Sequence, residues 1–475
     1  MPRTPCWSSR ARRSAASTRT GRGTRCEPSA RRTGSRGPRE RGRDPMTPYF
    51  ILLVVVTALA ALSFRVALKN PRETPSTEAA DAPARTGGMR TPGMRTAGAR
   101  ATGTKSLSAS RYRPRSGGLG LATRTASSTR YRARSAGAIV TEEETARAAR
   151  RWTVFDAAAV TVLIAFSGLR YDVGTDYPTY ELVFNSMNPD DWASDFAEST
   201  QEVGYTLLML VIKTFTEDPK ALFWVAAVLT VLPVYLGIKR LSMDPGFAVA
   251  LFVAFEYTSS FNALRQYIAV ALLFLAWTYL GRKNVVFWVL AIIALSFHMT
   301  AILAIVVMLV VRRWRPTVQT TLFFLGGALV AAAGVRAAPF LVSFLEVLNP
   351  RYGDYLDSGQ TGIGSYLSIF AYLALMILVV FVGSRKAPLT RLESQLAVLV
   401  LAGVALMIVG TQAIVLSRLS GYFGIFAILL VPNRIAKMQD RTLITLLVLL
   451  AAVAYYALGV QNYGEVIPYR TYLGQ

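Results

Sequence analysis

The sequence predicts an all-α membrane protein, a polytopic bundle of transmembrane helices with short re-entrant or broken helices facing the outer side. Three observations predict it. From residue 151 onward, apolar runs long enough to cross a bilayer follow one another. Charged residues make up only 17% of the 475, against about 25% in a soluble domain, and mean hydropathy is +0.36. Basic clusters recur at intervals that suit the inner ends of successive spans. The expected setting is the cell membrane, crossed several times.

Residues 1–45 hold thirteen arginines, no lysine and no apolar run. A secretory signal needs a short basic region followed directly by an apolar stretch, and this segment has neither that order nor that length. It reads as an Arg-rich disordered segment outside the native protein, with Met46 as the expected start. A first transmembrane helix follows at 46–68. Residues 69–151 form a basic linker of Gly, Ser, Thr, Ala and Arg with crude short repeats around 87–100. It lacks the apolar content to offset ordering entropy, so it is expected to be disordered and cytoplasmic. Most of the net charge of +24 lies in these two stretches. Their arginines have almost no aromatic interleaving, which speaks against nucleic acid and for anionic membrane lipids.

Residues 152–475 form the multi-span domain. Arg150 and Arg151 flank a span at about 152–169, which therefore starts inside. The loop that follows is acidic, with Asp172, Asp176, Glu181, Asp190, Asp191, Asp195, Glu198 and Glu202. Lys239-Arg240, Arg282-Lys283, Arg312-Arg313-Arg315, Arg385-Lys386 and Arg434 with Lys437 mark inner ends. Between them fall spans at 221–238, 246–261, 264–280, 321–338, 366–382, 395–415, 419–431 and 442–459. The loop 339–365, the pair Ser417-Arg418 and the tail from Gln461 are then outside. If the linker is inside, the N-terminus of the first span is outside, and the thirteen arginines would have to cross; this independently favours Met46.

Two stretches do not fit ordinary spans. Residues 284–311 have basic groups at both ends, so the chain must go out and come back. Each leg has about 14 residues, roughly 21 Å of helix, with the turn at Ser296-Phe297-His298-Met299-Thr300. The run 203–215 begins outside and is followed by a span that also begins outside, so it should be a short interfacial or re-entrant helix. Irregular backbone at membrane depth survives only when buried in protein or lining a cavity, so both stretches point to a cavity open to the outside.

The polar groups gather on that side. Arg170, Asp172, Asp176 and Tyr180 leave the 152–169 span, Glu202 opens the first short helix, and Arg265-Gln266 follow an outer turn. His298 sits at the next turn, and Arg418 with Tyr422 at another. A charge at the membrane centre costs about 2.5–3.5 kcal/mol on insertion scales, so such residues are usually paired or functional. Arginines bind phosphate bidentately and stabilise a diphosphate leaving group. A carboxylate or neutral histidine can take the proton of an attacking sugar hydroxyl. The set suits transfer from a lipid-linked diphosphate. Both cysteines, Cys6 and Cys26, lie in the head and His298 is the one histidine, so thiolate and multi-histidine metal sites are excluded.

The order Arg170…Gly174-Thr175-Asp176…Tyr180, Glu202…Tyr205, Leu264-Arg265-Gln266…Ala269, Phe297-His298-Met299-Thr300-Ala301, Arg418…Tyr422-Phe423 and Pro468-Tyr469 resembles the EpsG family of exopolysaccharide-biosynthesis membrane proteins. These are similar in role to Wzy-type polysaccharide polymerases. The resemblance covers about 150–470 and the first span. It implies a glycan polymerase, GT-C-like in architecture and working at the outer face without metal or cofactor. His298, Asp172, Asp176 or Glu202 would supply the base. Arg265, Gln266, Arg418, Tyr422, Arg170 and Tyr180 would bind the substrate. The implied partners are a polyprenyl-diphosphate-linked oligosaccharide, membrane lipids, and flippase and chain-length or export proteins. A polyprenyl-dependent glycosyltransferase or glycan ligase is the nearest alternative. A transporter of lipid-linked sugar or polysaccharide is another, but it should show internal repeats, and none relates 203–215 to 284–311.

Overall fold

The computed structural model describes residues 44–69, 131–132, 139–140, 145, 148–199, 201–314, 317–337, 363–383, 388–411 and 414–474. Residues Pro45–Gln475 make up one compact unit. The head 1–45 apart from its last two residues, nearly all of the linker 69–151, and the loop 339–362 with Arg351, Tyr352, Asp354 and Tyr355 lie outside the described residues.

The described chain is helical apart from a two-residue antiparallel ladder, Tyr131–Arg132 with Ile139–Val140. The helices are α1 Thr47–Lys69, α2 Val154–Gly168, α3 Tyr177–Ser186, α4 Trp192–Glu198, α5 Val203–Lys213, α6 Lys220–Leu241, α7 Pro245–Phe252, α8 Leu264–Trp277, α9 Asn284–Phe297 and α10 Ala301–Arg313. They continue with α11 Val318–Ala337, α12 Ile363–Met376, α13 Arg391–Gly410, three short pieces α14 Ile414–Leu419, α15 Gly421–Gly424 and α16 Ala427–Ile435, and α17 Arg441–Asn462. Four of them, α1, α6, α13 and α17, are long and apolar enough to cross a membrane. Shorter apolar helices, among them α2, α5, α8 and α9, complete the bundle. Leu443, Leu446, Leu447 and Leu450 of α17 are each more than half exposed, as a lipid-facing surface requires.

Local chemistry sets several helix starts. Thr153 and Asp156 form a capping box at α2, and Thr390 with Glu393 form another at α13. Asp156 is fully buried and does more than cap. It accepts from Tyr235 Oη at 2.8 Å, from Ser63 Oγ at 2.5 Å, and pairs with Lys239 Nζ at 3.0 Å. One carboxylate thus ties α1, α2 and α6 together at their basic ends.

The run 284–311 is two helices, α9 and α10, broken at His298-Met299-Thr300. Their directions follow from their contacts. Arg312, near the end of α10, lies against Gly281 just before α9. His298, between the two, lies against Glu202 at the start of α5. The pair therefore doubles back, with the break at one end and both outer termini at the other. The run 203–215 is the single short helix α5. Its last residue, Lys213, is buried and donates to the carbonyls of Phe184, Asn185 and Met187 at 3.3, 3.0 and 2.5 Å. Val203, Leu207 and Val211 of α5, and Phe215 just beyond its end, are exposed and apolar.

The predicted spans at 246–261, 395–415 and 419–431 are less regular than expected. The first is α7 followed by a π-turn, Val253–Tyr257, and a 3-10 turn, Thr258–Phe261. The extra backbone residue of a π-turn re-aims nearby side chains, and here Glu256 is turned into the bundle, 3% exposed. The second ends as a helix at Gly410, and the short helices α14 to α16 stand in place of its end and of the third.

Candidate functional site

Glu202 is the N-cap residue of α5, yet its side chain does not cap the helix. It is free to reach the break between α9 and α10. There Oε1 lies 2.7 Å from His298 Nδ1, and Oε2 pairs with Arg265 Nη1 in the first turn of α8. All three side chains are partly exposed, at 19%, 23% and 28% for Glu202, His298 and Arg265. The guanidinium of Arg265 also lies 5.6 Å over the ring of Tyr205.

Close packing of α5 on α9 makes this contact possible. A Cβ on Gly204 would stand 2.3 Å from Ser296 Oγ and 2.9 Å from the Ser296 carbonyl carbon. Glycine lets the two backbones approach, and Glu202 lies two residues upstream of that approach.

Glu202 lies outside every span, and its ionisation state is set by opposing forces. Burial favours the neutral acid. The hydrogen bond with His298 and the charge of Arg265 outweigh it and hold the carboxyl below its ordinary value. Glu202 is therefore an anion at neutral pH. With Nδ1 of His298 turned to this anion, Nε2 is the ring nitrogen left for another partner.

A second set of residues borders this group. Gln266 Nε2 donates to the carbonyl of Arg418 at 2.5 Å, joining α8 to α14. The side chain of Arg418 is exposed and pairs with no carboxylate among the described residues. Tyr422 Oη lies 3.4 Å from Thr300 Oγ1, just past His298.

Other predicted residues lie elsewhere. Tyr180 Oη donates to the carbonyl of Asn262 and accepts from the N–H of Leu264, both at 3.0 Å. It supports the turn that carries Arg265. Arg170 is 2% exposed and donates to Ser167 Oγ at 3.1 Å and to the carbonyl of Phe261 at 3.4 Å. It packs against the rings of Phe261 and Phe223. Burial pulls its guanidinium down to about 10, still a cation at neutral pH. Asp172 has a left-handed φ of 50° and pairs with Arg470 at 3.3 Å, and both side chains are about half exposed. Asp176 is the N-cap residue of α3 and makes no side-chain capping bond. Neither aspartate touches Glu202, Arg265 or His298.

The tail 464–472 lies against the segment that carries Arg170 and Asp172. Thr175 N–H and Asn262 Nδ2 donate to the carbonyl of Gly464, each at 3.1 Å, and Gly174 N–H donates to that of Glu465 at 3.1 Å. Tyr171 N–H donates to Arg470 O at 2.9 Å, and Tyr469 Oη donates to Phe166 O at 2.6 Å. The tail runs over the segment after α2, with Arg170 beneath it.

One group was not anticipated. Glu256 accepts from Tyr267 Oη and from Tyr372 Oη, each at 2.8 Å. A lone acid inside the apolar run 246–261 was the available signal.

The EpsG family model matches residues 153–471, a stretch that contains Glu202, Arg265, His298, Arg418 and the tail. No curated protein and no solved structure matches, so the expected GT-C-like arrangement has no counterpart for comparison. The family covers the whole of the helical domain from α2 to the tail, and the chain belongs to the EpsG family of exopolysaccharide-related membrane proteins.

Proposed function

We propose that the protein polymerises an exopolysaccharide or capsule glycan at the outer face of the cytoplasmic membrane. A growing glycan passes from polyprenyl diphosphate to a hydroxyl of the next lipid-linked repeat unit. The observation that carries this reading is the shared carboxylate, with Glu202 holding His298 Nδ1 at 2.7 Å and Arg265 on its other oxygen. A base oriented by an anion, beside a cation able to hold phosphate, is the combination this transfer requires.

In this scheme Nε2 of His298 takes the proton of the acceptor hydroxyl. The hydroxyl oxygen bonds to the anomeric carbon, and the bond from that carbon to the diphosphate oxygen breaks. Arg265, through the N–H groups not used by Glu202, and Arg418 stabilise the departing polyprenyl diphosphate. Gln266 and Tyr422 shape the wall between them. Asp172 and Asp176 have no contact with this cluster and take no step in the scheme. Arg170 and Tyr180 act on the turn before Arg265 and need not touch substrate.

The test is made in cells that produce the polymer. Arg265→Ala and His298→Ala should each leave the protein in the membrane while single lipid-linked repeat units accumulate. Normal-length polymer from both variants would overturn the assignment.

A further inference from the structure

The opposite end of the bundle holds a second cluster, all of one charge. Arg312 lies so close to Gly281 that a Cβ there would stand 2.5 Å from Nη2. Gly281 has φ +78°, a conformation that favours glycine, so bare backbone both makes the turn and admits the guanidinium. The carbonyl of Arg312 accepts from Arg391 Nη2 at 3.1 Å and from Gln395 Nε2 at 2.9 Å. The like charges of Arg391 and Arg282 both act on Arg312. Lys283 and Arg313 are exposed alongside.

None of these five cations pairs with a carboxylate among the described residues. Three acids of this end are engaged elsewhere. Glu393 lies with Lys437 at 3.1 Å and Arg434 at 3.5 Å, Asp156 with Lys239 at 3.0 Å, and Asp244 accepts from Phe247 N–H at 3.1 Å. Two helices, α9 and α13, begin here, and helix N-termini favour anions and disfavour Lys283 and Arg391. A preference for basic inner loops accounts for cations at this end. It does not account for three guanidinium groups from separate segments converging against their own repulsion.

The neighbouring surface is apolar and open. Val285 and Trp288 of α9 are 77% and 46% exposed, and Val310 and Trp314 at the end of α10 are 51% and 41% exposed. An inorganic anion would use the charges and leave this wall bare, whereas a lipid would use both. We infer that Arg282, Arg312 and Arg391 form a site for the headgroup phosphate of an anionic phospholipid, whose acyl chains lie along the exposed wall of α9 and α10. The site lies apart from Glu202 and His298 and does not depend on the reaction proposed for them.

The test uses full-length protein purified in neutral detergent and titrated with phosphatidylglycerol, phosphatidylcholine or inorganic phosphate. Retained lipid is counted by native mass spectrometry and protection is read from thermal unfolding. Phosphatidylglycerol should be retained and should raise the unfolding temperature, while the other two do neither. Arg282→Gln and Arg391→Gln, both at exposed positions, should each weaken phosphatidylglycerol binding about fivefold. Arg470→Gln, in the tail, should leave it unchanged. Equal retention of phosphatidylcholine, equal protection by inorganic phosphate, or undiminished phosphatidylglycerol binding in the Arg282→Gln/Arg391→Gln double variant would overturn the site.

Discussion

Glu202 has two duties, and substitution separates them. Glu202→Gln keeps the shape but loses the charge that orients His298 and neutralises Arg265. Polymerisation should fall by about two orders of magnitude or more, the range expected when general-base catalysis is impaired. Initial rates on lipid-linked repeat units would measure this, and a rate within twofold of the unmodified protein would speak against the pairing. The charge also has a pH signature. The folded-state value is depressed by His298 and Arg265 in spite of burial. Its contribution to stability is therefore complete above the ordinary carboxylate value of about 4.3 and fades as pH falls through the lower folded-state value. The difference in unfolding temperature between the unmodified protein and Glu202→Gln should be constant near neutrality and shrink on acidification. At this scale the sequence revealed residue types more readily than roles. Arg265, His298 and Glu202 stood out as polar groups at the ends of apolar runs. Arg170 looked equivalent to them, whereas in the structure it is buried, with its guanidinium on Ser167 and Phe261.

Among the elements, α5 has the closest tolerance. It is too short to span, and it is docked at one end by Lys213 on three carbonyls and near the other by Gly204 on Ser296. Gly204→Val should force α5 away from α9 at a cost of about 1–3 kcal/mol and carry Glu202 out of reach of His298. The variant should still insert, unfold at a lower temperature and lose polymerisation. Unchanged activity would mean that the α5–α9 contact does not position Glu202. The broken pair α9 and α10 was readable beforehand, because basic residues at both ends of 284–311 allow only a return path. The π-turn at 253–257 was not. An inserted residue leaves the apolar composition of a run unchanged, and only the isolated acid Glu256 hinted that something inside the bundle needed it. A break at Ser417-Arg418 was expected, but not the further division of 414–435 into three short helices.

For the whole molecule, the two ends of the bundle differ in chemistry. At one end Glu202, Arg265, His298 and Arg418 gather around chain breaks, with the acidic 172–202 segment and the tail nearby. At the other, Lys239 pairs with Asp156 and the arginines at 282, 312 and 391 converge. The alternation of basic clusters anticipated this polarity. The tail's path over Gly174 and Asn262 could not be read in advance, because its ties are mainly backbone hydrogen bonds that leave no side-chain pattern. The central claim is that the breaks at Asn262 and His298 open to the same, outer compartment. The most direct measurement is labelling by a membrane-impermeant thiol reagent in a Cys6→Ser/Cys26→Ser background. Cysteines placed singly at Thr175, Asn262 and Met299 should react in intact cells, and one at Lys283 only after permeabilisation. Reaction of the Asn262 and Met299 positions from opposite compartments would contradict the account.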